Sequence, residues 1–190
     1  VGAIRKGEDG RAHIDFAKCV FCGKCFAACP FGAVMERSQM LDVLAALKRG
    51  EKIVAMVAPS ATAQFPGTIE QLFTAISKLG FADVVEVAIG AELTTWNEAG
   101  EFKERIGKGA KLMTTSCCPA YVELVRKHAP EFLPNVSSTP SPMVYTAQFV
   151  HKKHPDAKTV FIGPCVAKRA EAARKGIDYV LSFEETGAVL

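Results

Sequence analysis

The sequence lacks the features that would place it in a membrane or on nucleic acid. No apolar run reaches the roughly 18 residues that a membrane-spanning helix needs, and the N-terminal residues do not have the pattern of a signal peptide. The 23 Lys and Arg nearly balance the 20 Asp and Glu and are scattered along the chain, so the sequence has no basic run of the kind that indicates nucleic-acid binding. These absences predict a cytoplasmic protein without nucleic-acid or membrane partners.

A complete disulfide framework is excluded by the cysteine count, because seven is an odd number. Four of the seven cysteines lie within residues 19–29, which favours metal binding over disulfides. Cys19, Cys22, Cys25 and Cys29, followed by Pro30, spell C-x2-C-x2-C-x3-C-P. This is the run that bacterial ferredoxins use to hold a [4Fe–4S] cluster. The alternative is a zinc knuckle, but structural zinc sites usually pair two C-x2-C units across a longer spacer.

A short repeat suggests that half of a two-cluster module is present. Residues 31–34 read F-G-A-V after the last Cys-Pro pair, and residues 1–4 read V-G-A-I. If the two segments are equivalent, a second Cys-Pro pair precedes Val1 in a longer parent protein. In two-cluster ferredoxins the fourth cysteine of a run binds the other cluster. We therefore expect Cys19, Cys22 and Cys25 to hold one cluster and Cys29 to belong to a second.

The rest of the chain alternates between strand-like and helix-like segments. The predicted strands are apolar without period-two alternation, which is typical of a parallel sheet covered on both faces. The predicted fold class is therefore α/β, a parallel sheet flanked by helices and preceded by a small ferredoxin-like iron–sulfur segment. The predicted strands are residues 52–57, 83–88, 112–115, 159–162 and 179–182, and the predicted helices are residues 38–50, 68–79, 90–106, 119–128, 141–151 and 167–175.

Three unusual segments follow predicted strands, and in parallel sheets ligands bind outside the carboxyl ends of the strands. These segments are A-P-S at 58–60, S-C-C-P at 116–119 and G-P-C at 163–165. Cys118 starts a predicted helix, where the dipole favours a thiolate. Lys168 lies in a first helical turn, which disfavours a cation unless an anion lies opposite. An anionic cofactor at Cys165 would be such an anion. The alternative without a functional role is that the cysteines are small buried hydrophobic residues.

Two of these segments resemble signatures of the [FeFe]-hydrogenases. T-S-C-C-P at residues 115–119 is similar to the first signature, and P-C-V-A-K-R-A-E at 164–171 is similar to the second, P-C-x-x-K-x-x-E. V-A-P-S at 57–60 and G-A-E-L-T at 90–94 resemble two further landmarks in the same order. The resemblance implies a partial [4Fe–4S] ferredoxin-like domain at 1–36 and the N-terminal part of the catalytic domain at 37–190.

By this resemblance the parent protein carries an H-cluster, which is a cubane joined through a cysteine sulfur to a two-iron unit with CO, cyanide and an aminodithiolate bridge. Cys118 and Cys165 would then be two of the four cubane ligands, and Cys117 would pass protons to the bridging amine. The residues that would contact the cyanides are Pro59, Ser60 and Lys168.

The resemblance also assigns a proton route through Glu98, Glu101, Arg105 and Ser137. The alternative without a functional role is that Glu98 and Glu101 lie on a solvated helix face, on which Glu101 and Arg105 form an i,i+4 ion pair. The implied activity is 2H⁺ + 2e⁻ ⇌ H₂, with a ferredoxin-like carrier as electron partner. The alternatives are a related protein of electron transfer or cluster assembly, and a sensor of H₂ or redox state. Retention of Cys117 and both acids favours turnover.

The sequence departs from the family pattern at several positions. Gly163, Tyr121 and Met143 replace the methionine, tryptophan and glutamine that relatives commonly carry. The third signature, which supplies the last two cubane cysteines, does not occur in these 190 residues. We therefore expect this piece by itself to be inactive.

Overall fold

The computed structural model describes residues 1–190. The N-terminal part is a small segment built on a two-stranded antiparallel hairpin, β1 (Ile4–Lys6) with β2 (Ala12–Ile14). The cysteine run follows the hairpin as a loop that contains one short helix, α1 (Lys24–Ala27). Only one residue before Met40, Val20, is fully buried, so this segment has almost no core of its own. It is therefore held in place by its contacts with the rest of the chain.

The larger part contains a sheet whose strands are all parallel, as the sequence predicts, and which has four strands in the order β4 (Asp83–Glu86), β3 (Ile53–Val57), β5 (Lys158–Ile162) and β6 (Tyr179–Leu181). The central strand β3 is buried at all five positions because helices cover both faces of the sheet. This explains why its apolar run shows no alternation.

Seven α-helices and two short 3₁₀ helices accompany the sheet, and none is both long and apolar enough to cross a membrane. The α-helices are α2 (Met40–Lys48), α3 (Ile69–Lys78), α4 (Ala88–Gly107), α5 (Pro119–His128), α6 (Pro142–Lys153) and α7 (Ala167–Lys175), with one further turn, α8 (Phe183–Gly187). The 3₁₀ helices span Pro59–Ala63 and Pro130–Asn135.

Local signals explain where several helices begin and end. Thr68 and Gln71 form a capping box at the start of α3, with the Thr68 hydroxyl and the Gln71 side chain each accepting a backbone N–H of the other residue. Proline occupies the first position of α5 and α6. Gly50 follows α2 with a φ of +74°, a left-handed conformation that glycine adopts without strain.

The predicted strand at residues 112–115 is wrong. Only Thr114 pairs, in an isolated bridge to Val136, because Thr114 donates to the Asn135 carbonyl and accepts from the Ser137 N–H. Leu112 is half exposed, so this segment runs over the surface beside the 3₁₀ turn rather than into the sheet. The T-S-C-C-P segment therefore reaches the site from outside the sheet. The strand predicted at 83–88 ends at Glu86, because α4 begins at Ala88.

Candidate metal centre and its surroundings

The carboxyl ends of β3 and β5 bring two of the predicted segments together. Backbone pairing continues past the strands, with Ala58 N donating to Ile162 O at 2.9 Å and Gly163 N donating to Leu181 O at 3.0 Å. A Cβ at position 163 would lie 2.6 Å from the Phe161 ring and 3.2 Å from the Ala58 Cβ. A side chain at position 163 would therefore have to displace the Phe161 ring. Pro59 and Ser60, in the exposed turn after β3, share this edge with Cys165.

Lys168 connects the two cysteine signatures. Its Nζ donates to the Cys117 carbonyl at 3.2 Å and forms an ion pair with Glu171 at 2.6 Å, while its backbone N–H donates to the Cys165 carbonyl at 3.1 Å. The side chain is 11% exposed, so this charge is held in a nearly buried place. The cation in the first turn of α7 is compensated by Glu171 and does not itself require an anionic cofactor. Cys117 and Cys118 are exposed, and Cys165 is half-buried.

Glu98, on α4, contacts the segment that carries the adjacent cysteines. Its carboxylate accepts from the Thr115 hydroxyl at 3.0 Å and from the Ser116 N–H at 3.2 Å. Cys117 N donates to the Thr115 hydroxyl at 3.4 Å. A single hydroxyl group therefore separates the Glu98 carboxylate from the backbone of Cys117.

Glu101, one turn further along α4, is not on a solvated face, because its side chain is only 14% exposed. It forms the i,i+4 ion pair with Arg105 at 2.5 Å. Its other partners are the hydroxyls of Ser137, Ser138 and Thr139 and the Ser138 N–H, at 2.6 to 2.9 Å. Burial by itself would raise the pKa of Glu101, but the hydrogen bonds from Ser137, Ser138 and Thr139 outweigh it and lower the pKa to about 2. Glu101 is therefore an anion at neutral pH.

The environments of the two acids are joined by a polar link. The Ser116 hydroxyl donates to the Thr139 carbonyl at 2.5 Å, and the Thr139 hydroxyl donates to Glu101 at 2.8 Å. The structure thus brings together Cys117, Glu98, Glu101, Arg105 and Ser137, all named from the sequence. Their roles stay predictions.

The cysteine loop has the chemistry of an iron–sulfur ligand set. Backbone N–H groups point at two of its sulfurs, from Phe21 to Cys19 Sγ at 3.4 Å and from Ala33 to Cys29 Sγ at 3.3 Å. N–H groups of the turn after Cys29, that of Phe31 first, lower the pKa of its thiol and favour the thiolate that metal binding requires. No three Cys, His, Asp or Glu side chains converge in metal-ligand geometry. The fit of a cluster therefore rests on the four thiols and their N–H contacts.

Several residues of the site were not found from the sequence. Thr139 and Ser138 had no visible signal, because their partner Glu101 is nearly 40 residues away in the chain. Glu171 did have a signal, since it stands at i+3 from Lys168 within the quoted second signature.

The fold and the cysteine content define an α/β protein with an N-terminal iron–sulfur segment, and comparisons with known proteins identify the family. A family profile described as iron only hydrogenase large subunit, C-terminal domain, matches residues 51–190, and a 4Fe-4S binding domain matches residues 12–35. The chain belongs to the iron-only hydrogenase large-subunit family. The expected cofactors follow: a [4Fe–4S] cluster, and an H-cluster in the parent protein.

Relatives of two kinds are similar to this chain. The NADP-reducing hydrogenase subunit HndD of Solidesulfovibrio fructosivorans is 32% identical over 82% of this chain and 31% of its own length. The periplasmic [Fe] hydrogenase large subunit of Nitratidesulfovibrio vulgaris is 32% identical over 89% of this chain and 53% of its own length. The cytosolic Fe-S cluster assembly factor NAR1 of Yarrowia lipolytica is 28% identical over 97% of this chain and 42% of its own length. The chain thus spans about a third to a half of these relatives.

Proposed function

We propose that the parent protein is an oxidoreductase that catalyses 2H⁺ + 2e⁻ ⇌ H₂ and receives its electrons through [4Fe–4S] clusters from a ferredoxin-like carrier. The observation that supports this most directly is Lys168, which joins the two cysteine signatures through the carbonyls of Cys117 and Cys165. A site assembled from separate parts of the chain, with two acids beside it, fits proton reduction better than passive electron storage.

The residues at the carboxyl edge of the sheet suit the group that the family carries there. Cys118 and Cys165 would hold the cubane, and Pro59, Ser60 and Lys168 would contact the cyanides, because an ammonium and a hydroxyl can donate hydrogen bonds to them. When bound, this group supplies the metal at which protons and electrons combine. The ion pair between Lys168 and Glu171 holds the ammonium in place beforehand.

The proton route begins at Cys117 in this proposal. Its exposed thiol gives and takes a proton at Sγ. Glu98 receives the proton, because its carboxylate is hydrogen-bonded to Thr115 and Ser116 beside the thiol. Glu101 with Arg105 and Ser137 forms the outer part of the route. With a pKa of about 2, Glu101 releases a proton readily and does not store one at neutral pH.

A second candidate function is iron–sulfur cluster assembly without hydrogen turnover. It is favoured by the similarity to NAR1 over nearly the whole chain, since that relative is named as an assembly factor. The retained Cys117, Glu98 and Glu101 favour the hydrogenase, because a scaffold that turns over no protons has no use for a proton route. Electron transfer and H₂ sensing are outcomes of the same test.

The test is an assay of the full-length parent after anaerobic maturation. We expect H₂ evolution from reduced methyl viologen together with infrared bands of bound CO and cyanide. A protein that carries [4Fe–4S] clusters but shows neither signal would contradict the hydrogenase and support assembly or electron transfer. The bands with only negligible turnover would support sensing. Residues 1–190 expressed alone are the control and should produce no H₂, because they contain too few thiolates for a complete cubane at this edge.

The division of the chain into domains and its localisation are part of the same proposal. We divide the chain into a relay segment at 1–36 and a catalytic part at 37–190. Cytoplasmic localisation stays a prediction, because one similar hydrogenase is named as periplasmic.

A further inference from the structure

The last turn of α5 reaches back to the cysteine loop, which lies more than 100 residues earlier in the chain. Lys127 Nζ donates to the carbonyl of Cys19 at 2.6 Å and to that of Phe16 at 2.9 Å. The same ammonium lies 5.1 Å from the centre of the Phe21 ring. Its side chain is 20% exposed, so both the loop and the ring shield this charge from water.

The neighbouring residue adds a further contact to the same loop. His128 Nε2 donates to the Lys18 carbonyl at 2.8 Å. The end of α5 therefore binds three carbonyls from a stretch of four residues that includes a predicted cluster ligand. Neither side chain belongs to the proton route or to the cyanide contacts.

A buried carboxylate fixes the position of Lys127. Glu123, one turn earlier on α5, is 3% exposed and lies 3.4 Å from Lys127 Nζ. The same carboxylate pairs with Arg174 of α7 at 2.5 Å and with Arg126. One negative charge thus faces three cations, so Glu123 orients Lys127 without cancelling the positive charge of the group.

We propose that Lys127 raises the reduction potential of the [4Fe–4S] cluster held by the cysteine loop. The inference rests on that loop holding a cluster. Each electron taken up makes the cluster more negative, and a fixed cation one hydrogen bond away from the ligand Cys19 stabilises the reduced form. Cys118 precedes the first residue of α5, and Lys127 lies in its last turn. A single helix therefore carries the lysine at the relay cluster at one end and a predicted ligand of the catalytic cubane at the other.

A purely structural role for Lys127 would use the same contacts, so the test must separate charge from packing. Lys127→Met keeps most of the aliphatic stem and removes the charge, whereas Lys127→Arg keeps the charge. Lys153→Met is the matched control, because Lys153 ends α6, forms an ion pair with Asp83 at 2.8 Å and makes no contact with the loop. The measurement is the midpoint potential of the relay cluster in the full-length parent, from a redox titration followed by electron paramagnetic resonance.

We expect Lys127→Met to make the cluster about tenfold harder to reduce, a shift of about 59 mV to lower potential for a one-electron couple. Lys127→Arg should recover most of this shift, and Lys153→Met should leave the potential of the parent unchanged. Equal potentials in all four proteins would overturn the inference and leave the proposed hydrogenase intact. If Lys127→Met loses the cluster and Lys127→Gln keeps it at the potential of the parent, Lys127 only holds the cysteine loop in place, and the inference is overturned. Absence of any cluster from the parent would overturn both the inference and the relay.

Discussion

Cys117 and Cys118 are neighbours in the chain, and at the scale of single residues they have different structural settings. The Cys117 carbonyl accepts from Lys168, and its N–H donates to the Thr115 hydroxyl that also binds Glu98. Cys118 is the N-cap residue of α5 and has an extended backbone. The first cysteine is thus linked to the acids, and the second is placed where the helix N-terminus favours a thiolate ligand.

The first prediction compares these two cysteines in the matured parent protein. Cys117→Ala should lower H₂ turnover by on the order of 10² to 10⁴-fold and retain the cluster, because it removes an acid–base group and no ligand. Cys118→Ala should lose the cluster. Cys117→Asp should restore part of the turnover, since a carboxylate also carries a proton. Turnover and infrared CO and cyanide bands are measured on the same samples. Bands that vanish in Cys117→Ala and persist in Cys118→Ala would reverse the two assignments.

The second prediction concerns Glu101 and pH. Its folded pKa of about 2 lies below the ordinary 4.5, so the ionised carboxylate stabilises the fold fully above about pH 5. This contribution, on the order of 1–3 kcal/mol, should be lost as the pH falls from 4.5 through 2. Glu101→Gln should therefore be less stable than the wild type at pH 7, and the difference should shrink as the pH falls below 4.5 and be smallest below about pH 2. Thermal unfolding across this range checks the convergence, and a constant difference would contradict it.

At the scale of elements, the crossing of α4 and α6 depends on one glycine. Gly90, inside the first turns of α4, has no side chain where the Pro142 carbonyl and the Thr146 hydroxyl of α6 approach. The Thr94 hydroxyl, one turn on, donates to the Pro140 carbonyl at 3.1 Å just before α6. This close contact sets the position of the helix that carries Glu98 and Glu101.

The third prediction compares two glycines of α4. Gly90→Ala should destabilise the fold by roughly 1–3 kcal/mol, because its Cβ would meet backbone that cannot move freely. Gly100→Ala is the control, since a Cβ there meets nothing within 4 Å. That variant should gain about 0.5–1 kcal/mol from its higher helix propensity. Denaturant unfolding gives both free energies, and a stabilising Gly90→Ala would show that the two helices can separate without cost.

At the scale of the whole molecule, Arg169 ties the chain that leaves the relay segment to the catalytic part. Its guanidinium pairs with Glu36 at 2.7 Å and with Glu185 of α8 at 2.6 Å, and it donates to the Val180 carbonyl of β6 at 2.5 Å. The side chain is 15% exposed. Burial by itself would lower the pKa of Arg169, but Glu36 and Glu185 outweigh it and raise the pKa.

The fourth prediction removes this connection. Arg169→Met should lower the free energy of unfolding by on the order of 1–3 kcal/mol, because it removes the cation that Glu36 and Glu185 share and leaves Glu185 with the Ser182 N–H of its capping box. Lys108→Met is the control, since the ion pair of Lys108 with Glu104 is exposed on both sides. An exposed pair contributes about 0–1 kcal/mol. The measurement is urea unfolding followed by circular dichroism, and equal losses in both variants would contradict the prediction.

Part of this architecture could be read from local pattern. The limits of α5 and α7 were predicted to the residue, because proline starts the first and glycine follows the second. The buried strands β3 and β5 were predicted within a residue from their apolar runs. A strand was predicted at 112–115 as well, but its only pairing is the bridge between Thr114 and Val136, outside the sheet. Leu112 is half exposed, so a short strand-like stretch does not by itself show that a segment enters the sheet.

The sequence alone determined the cysteine spacing, the order of the signatures and the alternation of strands and helices, because each depends on neighbours within a few residues. Only the tertiary structure decided that Glu101 is buried among three hydroxyls, that Lys168 donates to the Cys117 carbonyl, and that Lys127 faces the cysteine loop. Several of these contacts join residues that are tens of residues or more apart. They depend on how the helices pack over the sheet. Burial then strengthens the interactions between the charged groups, and no local sequence pattern shows that burial.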